Sequence, residues 1–212
     1  TGKIIIVDAY KKKYATSFYY NLENNKIAHN HLSIKFNKNI SLIYNDVRKF
    51  GFIKIYKKEE LRFSQHLTKL GPEPLSKNFN LNYFNEKIKK RRTFLKDLLM
   101  DQTFISGLGN IYVNEVIFKS KLNPRKRAYN ISSKEILALI SNIKKVLKKA
   151  IIEGGSSIKD FNDTEGKKGN FQQFFNVYGR QGKPCTRRNC IGTIKKIRIS
   201  NRSTFYCQKC QK

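Results

Sequence analysis

The placement of the cysteines constrains this chain most. There are four in 212 residues, and all lie between positions 185 and 210. Cys185 and Cys190 form a C-x4-C pair; Cys207 and Cys210 form a C-x2-C pair after a spacer of 16 residues. Two close pairs, each on a turn, can converge on one tetrahedral Zn²⁺ as four thiolates. Disulfide pairing is the alternative, and it belongs to exported chains. The opening residues 1–6 lack the length of a signal peptide's apolar core. Gly182-Lys183-Pro184 precedes the first pair, and Gly192 follows it. Residues 193–199 and 203–206 read as two short strands between the pairs, which completes a zinc-ribbon hairpin. A segment of about 30 residues cannot build a stable core alone, so one structural Zn²⁺ would supply its folding energy. Lys195, Lys196, Arg198 and Arg202 alternate with apolar residues there and leave a basic face for phosphate.

Charge sets the next bound. Lys and Arg number 44 against 15 Asp and Glu, a formal net charge of +29. That excess runs from Lys3 to Lys212, so the whole molecule is basic. Such a charge repels itself unless a polyanion shares it, which points to nucleic acid ahead of an anionic membrane surface. Hydrophobic residues make up 39%, enough for a core, which excludes a wholly disordered basic tail. No apolar run reaches the roughly 18 residues of a membrane-spanning helix.

The pattern along the chain divides it in three. Residues 4–7, 17–20, 32–36, 40–44 and 51–56 are rich in β-branched and aromatic side chains and read as strands, with a hairpin turn at 37–39. Gly71-Pro72-Glu73-Pro74 is a breaker cluster and the expected boundary. Beyond it the period becomes helical: 80–90, 93–100, 110–119 and 133–152 are the candidate helices. Ser132 or Ser133 suits the cap of the last one, and Gly154-Gly155 suits its end. The expected domains are 1–70, 71–180 with a glycine-containing loop at 154–170, and 181–212.

Several segments carry a resemblance. Gly107-Leu-Gly-Asn-Ile-Tyr-Val-Asn-Glu115, preceded by Leu98-Leu-Met-Asp-Gln102, resembles the helix-two-turns-helix motif of the formamidopyrimidine-DNA glycosylase (Fpg/MutM) family. The tail from Val177 to Lys212 resembles that family's C-terminal zinc finger. Asn45-Asp-Val-Arg-Lys-Phe-Gly51 and His29-Asn-His31 are similar to parts of its β-sandwich domain. Gly154-Gly-Ser-Ser-Ile-Lys-Asp-Phe161 and Phe171-Gln-Gln173 are similar to its lesion-contacting loop region. The motifs occur in the family's order. The fold class implied is α+β and multidomain: a partial N-terminal β-sandwich, a helix-two-turns-helix domain and a zinc-ribbon β-hairpin.

The resemblance implies roles that also make physical sense. Asn110 opens a helix after Gly-x-Gly, where its side chain and the first backbone N–H groups can grip a phosphate; a plain helix cap is compatible with that. Lys96 would face the same phosphates, and Arg91 would assist, with Lys90 or Arg92 as substitutes. Arg48 and Phe50 match the pair that fills the helix vacated by a flipped nucleotide, the ring stacking where the base was. For Phe50 the competing reading is a core residue on a strand. His29 matches a DNA-contacting position, with a structural histidine as the alternative. Arg202 matches the zinc-finger arginine that holds the phosphates beside the lesion and assists δ-elimination. Asp160 and Glu115 are candidates for supporting roles.

The departures matter as much. The family's nucleophile is an N-terminal proline amine, with a glutamate beside it and a lysine further along; attack at C1′ gives a Schiff base. This chain starts Thr1-Gly2-Lys3, which resembles the segment just after the methionine of the family's intercalating triad. The expectation is that roughly the first 70 residues of a family member are missing, and with them the proline, glutamate, lysine and methionine. Half a β-sandwich would then expose apolar surface and an open edge. Val47 and Lys49 stand where the family often has proline and arginine, and C-x4-C is wider than its usual C-x2-C.

The implied function is base-excision repair: removal of oxidised purines such as 8-oxoguanine and formamidopyrimidines, then nicking by β,δ-elimination. The alternative is a non-catalytic, zinc-dependent DNA-binding remnant of that enzyme; a zinc-ribbon RNA-binding protein is the distant third reading. The implied partner is double-stranded DNA carrying an oxidised purine or an abasic site, not a membrane. The expected state is a cytoplasmic monomer at the bacterial nucleoid.

Overall fold

The structure is a computed structural model, and it describes residues 2–15, 26–89, 91–156 and 170–212. The strand expected at 17–20, Asp160, Lys90 and most of the 154–170 loop lie outside the described residues. The chain groups into two compact units, Thr1–Lys57 with Ala150–Gln173, and Lys58–Lys149 with Phe174–Lys212.

The first unit is built on a four-stranded antiparallel sheet. Its strands are β1 (Lys3–Val7), β2 (Lys13–Ala15), β3 (Asn30–Lys35) and β4 (Ser41–Asn45), in the order β2-β1-β4-β3. β1 and β4 pair centrally with Ile5 opposite Ile43, and β3 adds to β4 with Ser33 opposite Ile43. The short β2 has no hydrophobic pattern to announce it. It forms because Asp8 shapes the preceding turn, accepting bonds from the Tyr10 and Lys12 amides at 2.9 Å each and from the Tyr14 hydroxyl at 2.8 Å. Burial raises the Asp8 carboxyl's pKa, but those hydrogen bonds outweigh it and hold the group below its ordinary value. Side chains alternate across the sheet. Ile5 is buried, while Ile4, Ile6, Leu32 and Ile34, which share a face through their cross-strand partners Leu42 and Tyr44, are all more than a third exposed.

Residues 51–56 correct the sequence reading: they form no strand. Phe52, Ile53 and Ile55 are exposed, and no ladder reaches the segment among the described residues. Strand-prone composition makes a strand only where a neighbouring strand takes up the ladder.

The second unit is helical, with a hairpin. Its helices are α1 (Gln65–Thr68), α2 (Leu81–Ile88), α3 (Leu95–Met100), α4 (Asn110–Lys119) and α5 (Ser133–Ile152), the last residues of α5 counting with the first unit. Asn80 caps α2 by accepting from the Tyr83 amide at 3.0 Å. α5 starts in a capping box: the Ser132 amide donates to Glu135 at 2.9 Å, and the Glu135 amide returns to the Ser132 hydroxyl at 3.3 Å. Lys126 adds an ion pair to Glu135 at 2.6 Å. Phe79, Phe84 and Phe104 meet edge-on or tilted in the core, beside Leu95, Leu98, Leu99, Val113, Ile117 and Leu139. Gly71 lies hard against this core. A Cβ there would come within 2.5 Å of the Phe104 backbone, and its amide donates to the Gln102 carbonyl at 2.8 Å. β5 (Ile194–Ile199) and β6 (Arg202–Cys207) form the antiparallel hairpin.

Candidate metal centre and nucleic-acid interface

The four cysteine sulfurs converge. All lie within 4.8 Å of one another, with Cys185 to Cys210 at 3.8 Å and Cys190 to Cys207 at 3.6 Å. Zn–S bonds of ~2.3 Å in a tetrahedron place sulfurs about 3.8 Å apart, whereas a disulfide needs about 2.05 Å. The donor set therefore fits zinc and excludes disulfides. Gly192 is needed beside it, since a Cβ there would stand 2.7 Å from the Cys207 sulfur. Burial pushes the thiols of Cys185 and Cys210 up, the latter to about 12 with the neighbouring thiols adding to the shift. Burial acts the same way on Cys207, but backbone N–H groups of Cys210 and Lys209 reverse it. Four crowded sulfurs cannot all ionise alone; one Zn²⁺ held by Cys185, Cys190, Cys207 and Cys210 would offset two of their four negative charges and close the hairpin.

The hairpin is docked on α3 and α4 by polar contacts. Lys96 sits in the first turn of α3, is 1% exposed, and donates from Nζ to the Ser203 carbonyl at 2.9 Å and the Thr204 hydroxyl at 2.6 Å. Burial lowers its pKa to about 8; Asp97 raises it and Arg202 lowers it further. Lys96 thus stands under the hairpin instead of in solvent. Asn110 donates from Nδ2 to the same Ser203 carbonyl at 3.2 Å. It is not the cap of α4, which is Gly109. Asn114 accepts from the Phe205 amide at 2.6 Å, and Ser200 binds Asp97 at 2.9 Å. Glu115 is fully buried and accepts from the Asn176, Val177 and Tyr178 amides at 2.8–3.0 Å. Gln211 closes the far end, accepting from the Cys207 amide and donating to the Leu122 carbonyl. The wider first cysteine loop also has a use. Arg187 within it lies 4.7 Å over the Phe118 ring and donates to the Phe118 and Lys119 carbonyls at the C-terminal end of α4.

The turns before α4 explain the motif. The Gln102 side chain accepts from the Gly107 amide at 2.8 Å and donates to the Leu108 carbonyl at 3.2 Å. Gly107 has φ +77°, a left-handed conformation that suits glycine. Arg91 pairs with Asp101 at 3.1 Å. Burial raises the Asp101 carboxyl, but bonds from Thr103 and Arg91 more than offset it. Arg202, first in β6, is exposed on the turn that follows β5.

In the first unit, Asp46 organises the segment that holds Arg48 and Phe50. It is 1% exposed and accepts from the Arg48 amide at 3.2 Å, the Gly51 amide at 2.9 Å and the Tyr44 hydroxyl at 3.1 Å. Its own amide donates to the His29 carbonyl at 2.9 Å, and its carbonyl meets His31 Nε2 at 2.9 Å. A Cβ at Gly51 would collide with the Tyr44 hydroxyl. Phe50 is 76% exposed, with the Arg48 guanidinium 5.9 Å from its ring, so the core reading fails. Asp46 and Asn114 lie inside the motif segments but have no role in the sequence reading, and Arg187 has no signal beyond its charge, because each works through a contact that only folding creates.

These features match known proteins. Residues 70–162 match the formamidopyrimidine-DNA glycosylase H2TH domain, and residues 182–212 match the zinc finger found in FPG and IleRS. A formamidopyrimidine-DNA glycosylase of Rhodopseudomonas palustris (strain ATCC BAA-98 / CGA009) is 35% identical over 218 residues, covering all of this chain and 74% of that protein. The chain belongs to the formamidopyrimidine-DNA glycosylase family. The glycosylase of Ruegeria sp. (strain TM1040) is 42% identical over 184 residues, covering 87% of this chain and 65% of its own length. The chain therefore spans about two thirds of the curated relatives it matches. Among solved structures, Lactococcus lactis Fpg in complex with abasic-site DNA superposes with a TM-score of 0.81 at 34% identity, over all of this chain and 72% of that one. A MutM complex with DNA containing carbocyclic 8-oxo-G gives 0.79 at the same identity, covering all of this chain and 71% of that one.

Proposed function

We propose that this chain grips lesion-bearing duplex DNA in base-excision repair, as part of a glycosylase and AP lyase acting on oxidised purines. The observation that carries the reading is the docking of the four-cysteine hairpin on α3 and α4, with Lys96 and Asn110 both bonded to Ser203, next to the exposed Arg202. In this reading Asn110, the first amides of α4 and Arg202 hold phosphates. Lys96 supports them from beneath, and Arg91 borders the site. Arg48 and Phe50 enter the duplex where a nucleotide is flipped out, and His29 contacts the same DNA. Arg202 also assists the second elimination. The working division is 1–70 for the sandwich part, 71–180 for the helical part with its loop, and 181–212 for the zinc finger. The protein acts as a monomer in the bacterial cytoplasm, at the nucleoid.

In this reading the 212 residues supply binding, and none of their own amines is assigned to base removal. Borohydride trapping on duplexes carrying 8-oxoguanine opposite cytosine, or an abasic site, tests this. The expected result is zinc-dependent binding without a covalent adduct. An adduct would show that an amine in these residues does the chemistry.

A further inference from the structure

A basic cleft in the second unit is built from residues the proposed site does not use, apart from Arg92, the alternative to Arg91. It measures about 730 Å³ and, among the described residues, is lined by Lys89, Arg92, Arg127 and Tyr129, none of them a carboxylate. Two backbone segments fix its walls. The Ala128 amide donates to the Thr93 carbonyl at 3.0 Å, the Leu95 amide to the Lys126 carbonyl at 2.7 Å, and Phe94 pairs with Arg127 as an antiparallel bridge. The neighbouring cations are already neutralised: Arg91 by Asp101 and Lys126 by Glu135. Among the described residues, Lys89, Arg92 and Arg127 enter no ion pair. Arg127 is held in place, its guanidinium 4.2 Å over the Phe94 ring and its Nη1 donating to the Arg92 carbonyl at 2.7 Å. A guanidinium ordered before binding loses little entropy on meeting an anion, and its fork suits phosphate oxygens. Tyr129, half exposed, adds a hydroxyl.

We propose that this cleft is a second phosphate-binding site, distinct from the Asn110 and Arg202 region. Three like charges facing one cavity repel one another, and a phosphate group relieves that repulsion. The phosphate is either one of a nucleic-acid backbone or a free polyphosphate group. The test uses the intact, zinc-loaded chain, with pyrophosphate as probe and the arginine Nε–Hε resonances as readout. Pyrophosphate is expected to move the Arg92 and Arg127 resonances, and the double variant Lys89→Gln with Arg92→Gln is expected to weaken its binding at least about tenfold. An undamaged duplex that displaces pyrophosphate assigns the cleft to the backbone; one that leaves it bound assigns it to a free phosphate. Resonances that do not move overturn the proposal, as does unchanged affinity in the double variant. The pyrophosphate arm is independent of the DNA reading, so either can fail separately.

Discussion

The Nζ of Lys96 donates to the backbone carbonyl of Ser203 at 2.9 Å, across 107 positions of sequence. This bond places an ammonium beneath the zinc-finger hairpin, shielded from water, with Arg202 pressing its pKa down as burial does. The folded state therefore holds this proton less tightly than the unfolded chain does, about 8 against 10.5. The unfolded chain binds more protons between those values, so the Lys96 contribution to stability rises with pH through that window and is smallest below pH 8. Lys96→Met should remove this rise, on the order of 2–3 kcal/mol. Urea melts of both proteins at pH 7.5 and 9.5 check it, and parallel pH dependences would contradict it.

Glu115 accepts bonds from three consecutive backbone amides and from the Asn176 side chain. Glu115→Ala leaves those donors without an acceptor in a buried place. The cost should be on the order of 3–5 kcal/mol, visible as a lower denaturation midpoint. Glu115→Gln keeps an acceptor and should lose less. Equal losses would mean that volume alone matters there.

Asp46 shapes the segment holding Arg48 and Phe50 by bonding the amides of Arg48 and Gly51. Asp46→Ala should loosen this loop, and affinity for an abasic-site duplex should fall about tenfold or more. Affinity for an undamaged duplex should change less, because the proposed phosphate contacts rest on Asn110 and Arg202. Fluorescence anisotropy on the two duplexes separates these outcomes. Equal losses on both would remove Asp46 from lesion recognition.

Zinc removal should act on folding before it acts on binding. Cys207→Ser deletes one of the four thiolates that tie the two ends of the hairpin together. The variant should purify with little zinc and lose the protection of β5 and β6 amides from hydrogen exchange. A full equivalent of zinc in that variant would refute the four-thiolate centre.

Much of this was legible in the sequence where the signal was local. The cysteine spacing gave the hairpin, and residues 110–119 and 133–152 form helices with the expected bounds; the apolar period is clear in 133–152, while residues 113–118 are buried without a break. The 51–56 segment misled because strand propensity describes a surface awaiting a neighbouring strand, and no strand pairs with this stretch among the described residues. Lys96 reads as a surface cation until β6 is placed over it. Phe50 reads as core by alternation until Asp46 turns the chain outward. In each case the deciding neighbour is set by folding, not by the adjacent sequence.

The docked zinc finger and helix-two-turns-helix body are expected to bind DNA through its phosphates. The most direct measurement is the affinity of the zinc-loaded chain for an abasic-site duplex as salt is raised. If about six phosphates are neutralised, the log–log slope should be about −5, and Arg202→Ala or Asn110→Ala should reduce its size by about 1 each. A flat salt response, or a slope unchanged in both variants, would contradict the account.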